Sequence, residues 1–328
     1  MTNTGLFMQH RIVYGCPNTN TPSGGVKVIY RHAALLNAMG TPAFVWHPGD
    51  SDFRCSWFEH DTPTLKDDEL SPLTDLIVLP EIWASSHVQI FKNLGFKVCI
   101  FVQNAYMTHV NLNPSIPDAI LKSYQDADLI LSISEDSSAY IKDVLGASEE
   151  KIILQCCSIE FNLFKPALKD KVITYMPRKM GQHSARVVSA LQPLLPDGWS
   201  ISAIDNKTEN QVAEALSKSI IFLSFSEFEG LGLPPIEAAL CGNFVIGYHG
   251  QGGQDFWEAP IFSNINQGDI RSFISTTLNK IEEINHHELN LDSMNSGILK
   301  LSKKFSKQQE MKHLIEFIER AKELLSQN

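Results

Sequence analysis

The sequence lacks the features that mark membrane-spanning, metal-cluster and nucleic-acid-binding chains. Its 328 residues contain no apolar run long enough to cross a bilayer, and residues 1–9 have neither the basic nor the apolar segment of a secretory signal. No C-x-x-C pair occurs among the six cysteines, which argues against zinc and disulfide frameworks. The net charge of −10, from 27 basic and 37 acidic residues, argues against a protein that binds nucleic-acid phosphates. We therefore expect a cytoplasmic protein that binds no nucleic acid and contacts a membrane at most peripherally.

The length and the hydrophobic pattern together predict two α/β domains. At about 150 residues per domain, the chain accounts for two. Short apolar segments alternate with amphipathic ones, and the candidate strands are 11–14, 43–46, 76–79, 98–102, 129–133, 152–154, 172–175, 199–203, 220–224 and 243–247. This alternation predicts two Rossmann-like, doubly wound parallel sheets, each with helices on both faces.

A polar stretch at 167–171 interrupts the alternation and marks the expected domain boundary. We assign 1–166 to an N-terminal Rossmann-like domain and 167–306 to a C-terminal one. Residues 307–328 are expected to form a helix that packs back on the N-terminal domain. Because open α/β sheets bind ligands beyond the carboxyl ends of their strands, the loops at those ends are the place to look for function.

The segment SEFEGLGLPPIEAALCG at 226–242 is the most informative part of the chain. Gly230 and Gly232 allow a tight turn and a close backbone approach to a ligand. We expect a helix at 235–240 that begins at Pro235, since proline suits the first helical position. The amides of Leu231, Gly232 and Leu233 would then be free to bind an anion.

Two carboxylates, Glu229 and Glu237, bracket this turn with seven residues between them. Carboxylate oxygens are acceptors that suit the paired hydroxyls of a sugar, whereas the turn suits a phosphate, so together they suggest a sugar nucleotide. The residues alone equally allow a structural interpretation, in which Glu237 caps the first turn of its helix and Glu229 is a solvated turn residue.

The segment 226–247 resembles the E-x7-E signature of family 4 glycosyltransferases, which have the GT-B fold of two Rossmann-like domains facing a central cleft. Three other segments resemble the same family in register: DLILSISE at 128–135, CSIEFNLFKP at 157–166 and the glycine pair Gly24-Gly25 before the first long helix. The resemblance implies retaining transfer of a sugar from a nucleoside diphosphate donor to a hydroxyl acceptor. That acceptor would be a glycan, a lipid-linked glycan or a small molecule.

The resemblance also implies roles for individual residues. Glu237 would bind the ribose hydroxyls, Glu229 would contact the donor sugar, and Arg178 and Lys179 would hold the diphosphate. The turn residues Gly230, Leu231, Gly232 and Leu233 and the N-domain residues Gly24, Gly25 and Gln103 complete the expected donor site. We expect neither a metal ion nor another cofactor, with Glu229, Asn104 and Arg178 as the catalytic residues.

The chain departs from the family pattern at two places. Arg178 and Lys179 are adjacent, although the family usually separates this pair. Gln103 and Asn104 follow the strand at 98–102 where many relatives have a histidine, and neither can act as a general base near neutral pH. The alternatives are therefore a sugar-nucleotide epimerase or phosphorylase of the same fold, or a non-catalytic subunit that binds a nucleotide sugar.

Two further motifs have weaker functional interpretations. The D-x-D sequences at 50–52 and 126–128 could hold a magnesium ion, but aspartates at such places commonly cap turns. The glycines of HGQGG at 249–253 could bring backbone amides to a donor sugar, or could belong to a plain loop.

Overall fold

The computed structural model describes residues 9–49, 52–110, 118–287 and 291–327. The chain divides into two compact units, unit 1 with Met1–Cys157 and Glu310–Asn328, and unit 2 with Ser158–Gln309. The boundary after Cys157 therefore lies before the polar stretch at 167–171 and not beside it. One reason is that the amide of Ile159 donates a 3.0 Å hydrogen bond to the carbonyl of Phe305, which connects the segment after Cys157 to unit 2.

Unit 1 contains a parallel sheet of seven strands over the described residues. The strands are β1 (Arg11–Gly15), β2 (Ala43–Trp46), β3 (Thr64–Leu65), β4 (Asp75–Pro80), β5 (Lys97–Val102), β6 (Leu129–Ser132) and β7 (Ile152–Leu154), and the helices are α1 (Gly24–Ala38), α2 (Ala84–Asn93), α3 (Ala119–Asp126) and α4 (Glu135–Asp143). The spatial order is β3-β2-β1-β4-β5-β6-β7, so the chain reverses direction across the sheet between β1 and β4. All six residues of β4 are buried, as expected for a strand covered on both faces.

Unit 2 contains a parallel sheet of five strands in the order β12-β11-β10-β8-β9. These are β8 (Val172–Tyr175), β9 (Ser200–Ala203), β10 (Ile221–Glu229), β11 (Phe244–Gln251) and β12 (Phe262–Asn264), with α5 (Gly181–Leu191), α6 (Glu209–Lys218), α7 (Leu233–Leu240), α8 (Ile270–Asn285) and α9 (Leu291–Lys304). The strand order reverses between β8 and β10. This topological switch point is where open sheets of this kind bind their ligands.

The last helix, α10 (Lys307–Leu325), belongs to unit 1 from Glu310 onwards. The fully buried carboxylate of Glu310 forms a 2.9 Å ion pair with Arg31 of α1, and Nε2 of His32 lies 3.9 Å from the other carboxylate oxygen. Burial lowers the pKa of His32 to about 3, so this imidazole is neutral and Arg31 supplies the positive charge. The C-terminal helix is thus fastened to α1 by charge as well as by apolar packing.

All six cysteines are buried, and none of them forms a disulfide bond in the described part of the chain. None of the helices in the described part of the chain combines the length and the apolar character that a bilayer-spanning helix needs.

Candidate functional site

The switch point of unit 2 is flanked by two loops that carry most of the predicted site residues. The loop after β8 contains Arg178 and Lys179 and leads into α5, and the turn after β10 leads into α7. Because β8 and β10 are adjacent parallel strands, their carboxyl ends bring these two loops together.

The turn between β10 and α7 differs from the prediction in its bounds. β10 continues to Glu229 instead of ending at residue 224, because it pairs with β11 as far as Gln251. Helix α7 begins at Leu233, so Pro235 is its third residue and the expectation that it occupies the first position is wrong. Glu237 is consequently the fifth residue of α7 and lies outside the first turn, where the helix dipole would have favoured it.

The geometry of the turn leaves backbone donors available for an anion. Gly232 has a φ of 82°, a left-handed conformation that explains glycine at this position. Across the residues that the structure describes, the N–H groups of Leu231, Gly232 and Leu233 donate no hydrogen bond. Since Pro234 and Pro235 have no N–H, these three amides are the donors that the start of α7 can offer to a phosphate group.

The two cations of the β8 loop have different surroundings. The ammonium group of Lys179 forms an ion pair with the carboxylate of Glu229, which connects the β8 loop to the end of β10. Arg178 is exposed, and it forms no ion pair with any residue in the described ranges. Its guanidinium group can therefore approach a phosphate without first leaving a carboxylate.

The segment HGQGG packs tightly against the end of β10 and the turn. A Cβ atom at Gly252 would lie 1.9 Å from the carbonyl oxygen of Gly230, and one at Gly250 would lie 2.9 Å from Cγ of Glu229. These contacts require glycine at both positions, since real Cβ atoms do not approach other atoms so closely. The segment therefore supports Glu229 and the turn by close backbone packing.

Gln251 is strained within this segment. Its backbone has a φ of 70° and a ψ of −75°, the geometry of a strained three-residue turn. The amide of Gln251 donates a 3.0 Å hydrogen bond to Nδ1 of His249, which holds the conformation and places any ring proton of a neutral His249 on Nε2.

The switch point of unit 1 lies between β1 and β4, and it also carries predicted residues. Gly24 and Gly25 are the first two residues of α1, so this helix begins at the glycine pair and not after it as expected. The side-chain amide of Gln103, which follows β5, donates a 3.1 Å hydrogen bond to the carbonyl of Gly25. The structure thus brings Gly24, Gly25 and Gln103 together.

Glu81 was not foreseen from the sequence, and it holds the loop that contains Gln103. It directly follows β4 and is 6% exposed. Its two carboxylate oxygens accept hydrogen bonds from the amides of Gln103, at 3.3 Å, and Asn104, at 3.1 Å. Burial raises the pKa of Glu81 to about 7, although the two amides act in the opposite direction. A carboxylate directly after an apolar strand was the available signal in the sequence.

The predicted catalytic residue Asn104 has a structural contact. Its side-chain oxygen accepts a 3.1 Å hydrogen bond from the amide of Tyr106 and caps the short helix Ala105–His109. His109, the nearest histidine to the expected family position, is hydrogen-bonded at 2.8 Å to the hydroxyl of Tyr140.

The structure describes one of the two D-x-D motifs in full. Asp50 and Ser51 lie outside the described residues. Asp126 accepts a hydrogen bond from Gln89, and Asp128 accepts one from Lys92 and another from the amide of Val98. These contacts give Asp126 and Asp128 a structural role between α2 and the sheet of unit 1.

No protein-family model matches the chain. The alpha-1,6-glucosyltransferase of Actinobacillus pleuropneumoniae serotype 7 (strain AP76) is 22% identical to it over 325 residues, covering 89% of this chain and 90% of that protein.

Two solved structures resemble the chain over nearly its whole length. Anabaena HepE in complex with UDP gives a TM-score of 0.74 at 13% identity, covering 94% of this chain and 99% of HepE. A sucrose-phosphate synthase from Thermosynechococcus elongatus gives a TM-score of 0.69 at 14% identity, covering 98% of this chain and 100% of that one. The chain has the GT-B fold. Membership of family 4 stays a prediction.

Proposed function

We propose that the chain is a retaining glycosyltransferase that transfers a sugar from a nucleoside diphosphate donor to a hydroxyl acceptor. The observation that carries the proposal is the switch point of unit 2. Adjoining segments there carry the three available amides of residues 231–233, the two cations of the β8 loop and the carboxylates Glu229 and Glu237. The similarity to a glucosyltransferase and to HepE, which was solved with UDP and with UDP-glucose, supports the same reaction class.

Each part of the site has a proposed role in donor binding. The amides of residues 231–233 and the side chains of Arg178 and Lys179 bind the diphosphate and stabilise the charge that develops on it as it leaves. Glu237, whose side chain extends back towards the start of α7, accepts hydrogen bonds from the ribose hydroxyls. Glu229 contacts the donor sugar. Because the site supplies its own positive charge, we propose that transfer needs no metal ion.

The proposed chemistry does not need a general base from the protein. The bond between the anomeric carbon and the phosphate oxygen breaks, a bond to the acceptor oxygen forms on the same face, and the acceptor proton passes to the leaving phosphate. In unit 1, Gln103 and Asn104 are not basic, and both oxygens of Glu81 accept backbone hydrogen bonds. A retaining transfer of this kind can proceed without a protein base, whereas an inverting mechanism requires one. We propose that unit 1 binds the acceptor through the loops that follow its strands.

The test is a donor and acceptor screen with the full chain, in which release of nucleoside diphosphate is followed and the product anomer is determined by NMR. We expect release that depends on an acceptor and a product with the donor's anomeric configuration. Glu237→Ala should lower turnover, while Glu282→Ala, on an exposed position of α8, should not. An inverted product would contradict retention. Binding without release across the panel would instead indicate a non-catalytic binding subunit.

A further inference from the structure

Unit 2 has a cavity beside Glu229 that the donor site described above does not use. It has a volume of about 240 Å³ and lies at the carboxyl ends of β10, β11 and β12, where Ser226, Gln251, Gln254, Asn266 and Gln267 are among the residues that line it. Pockets for drug-sized ligands are usually about 300–1,000 Å³, so this volume suits a single ring better than a whole nucleotide sugar.

The lining of the cavity favours a neutral ligand rich in hydroxyl groups. Four of its side chains are amides, and one, Glu227, is a carboxylate that accepts a 3.2 Å hydrogen bond from Nε2 of Gln267. No lysine or arginine lines the cavity within the described part of unit 2. The Nε2 group of Gln254 donates to Oε1 of Gln251 at 2.9 Å, which orients both amides. Amides both donate and accept hydrogen bonds, as sugar hydroxyls do, whereas an anion would require a cation that the lining does not supply.

The cavity adjoins the carboxylate that is proposed to contact the donor sugar. Gly250 lines it and packs against both Ser226 and Glu229, with an added Cβ at 2.8 Å and 2.9 Å from atoms of these two side chains. The next residue, Gln251, is the register partner of Glu229. The strained backbone of Gln251 is held by His249, so this wall of the cavity is set before any ligand arrives.

We propose that this cavity receives the sugar ring of the donor and that Gln251 and Gln254 select it by hydrogen bonds to its hydroxyls. The inference rests on the proposed function, because it assigns the ring that is attached to the diphosphate bound at residues 231–233. It adds a specificity-determining site on β11 and the short helix Gly252–Phe256, which the role of Glu229 does not include.

Calorimetry on the full chain with UDP and with UDP-glucose distinguishes the contribution of the sugar ring to the binding affinity from that of the nucleotide. Gln251→Ala and Gln254→Ala should each weaken UDP-glucose binding by about 3- to 10-fold, the effect of one lost hydrogen bond, and leave UDP binding unchanged. The matched control is Gln192→Ala, an exposed glutamine elsewhere in unit 2, which should alter neither affinity. The same variants should lower discrimination among UDP-glucose, UDP-galactose and UDP-N-acetylglucosamine.

Each other outcome overturns a particular claim. Equal losses for UDP and UDP-glucose would show that the glutamines only support the turn, and unchanged affinities would show that the ring does not enter the cavity. Either result overturns this inference and leaves the proposed function standing. If the unaltered chain bound neither UDP nor UDP-glucose nor any other nucleoside diphosphate, the proposed function would fail and the assignment of the cavity with it.

Discussion

Lys179 and Glu229 form an ion pair with each other. We expect Lys179 to contact the diphosphate of a donor and Glu229 to contact its sugar. The lysine side chain is 47% exposed and the glutamate side chain 14%. The pair therefore contributes little to stability, since exposed pairs are typically worth about 0–1 kcal/mol. Its consequence is functional, because a diphosphate must compete with Glu229 for the ammonium group.

Glu229→Gln should separate binding from transfer. The substitution releases Lys179 for the diphosphate, so UDP should bind up to about 5-fold more tightly, the factor that corresponds to about 1 kcal/mol. Sugar transfer should fall, because the contact proposed for the donor sugar is lost. Calorimetry with UDP and a turnover assay measure the two effects. Weaker UDP binding in this variant would show that the carboxylate does not compete for Lys179.

Gly252→Ala should distort the β10–α7 turn. The new methyl group would lie 1.9 Å from the carbonyl oxygen of Gly230, so one of the two backbones must move, at a cost of about 1–3 kcal/mol. We expect a lower denaturation midpoint and weaker UDP binding. The matched control is Gly181→Ala, where no atom lies within 4 Å of the added carbon and the effect should stay within about 0.5 kcal/mol. Equal behaviour of the two variants would refute the close-packing role.

Glu81 should make the stability of the chain pH-dependent near neutrality. Its pKa is raised from the ordinary value of 4.5 to about 7 in the folded chain, so between these two pH values the folded state holds a proton that the unfolded state has lost. This contribution of Glu81 to the free energy of unfolding is fully present below the pKa of the unfolded state. It is lost as the pH rises through the pKa of the folded state. The chain should therefore gain about 2 kcal/mol, relative to Glu81→Gln, as the pH falls from 7 to 5.

Denaturation midpoints of the unaltered chain and of Glu81→Gln, measured at pH 5, 7 and 8, check this. A difference between the two proteins that does not change with pH would mean that Glu81 is ionised in the folded state throughout this range.

Arg31→Ala should loosen the C-terminal helix from unit 1. The variant removes the guanidinium group that pairs at 2.9 Å with the fully buried carboxylate of Glu310, and the loss of one partner from a buried pair costs about 3 kcal/mol or more. Lys218→Ala, which breaks the exposed pair with Glu214, is the control and should leave the stability nearly unchanged. Adding Glu310→Gln to Arg31→Ala should recover part of the loss. If it does not, the carboxylate's charge is not the source of the instability.

The interiors of the strands could be predicted from sequence, but the ends that build the site could not. β8 occupies the predicted residues 172–175, because an apolar run between polar residues specifies a buried strand. By contrast, β10 and β11 each continue beyond their predicted ends, through Ser226 and His249 among others. Their pairing continues by backbone hydrogen bonds, which side-chain hydrophobicity does not report.

The candidate site shows the same division. The spacing of Glu229 and Glu237 and the two glycines between them could be read from the chain, and the turn does contain both glycines, although β10 and α7 extend closer to it than predicted. The supporting contacts could not be read. The close packing of Gly252 on Gly230 depends on the register of β10 with β11. The hydrogen bond from the amide of Gln103 to Glu81 depends on β4 lying next to β5. Both are relationships between strands that are distant in sequence.

We propose that the β10–α7 turn of unit 2 binds a nucleoside diphosphate. A thermal-shift screen of the full chain and of Glu237→Ala with UDP, GDP, ADP, CDP and dTDP tests this most directly. A ligand at 100 times its Kd stabilises the native state by about 2.7 kcal/mol. We expect one of these diphosphates to raise the denaturation midpoint of the unaltered chain and Glu237→Ala to lose most of this shift. A shift that Glu237→Ala retains in full would contradict the proposal.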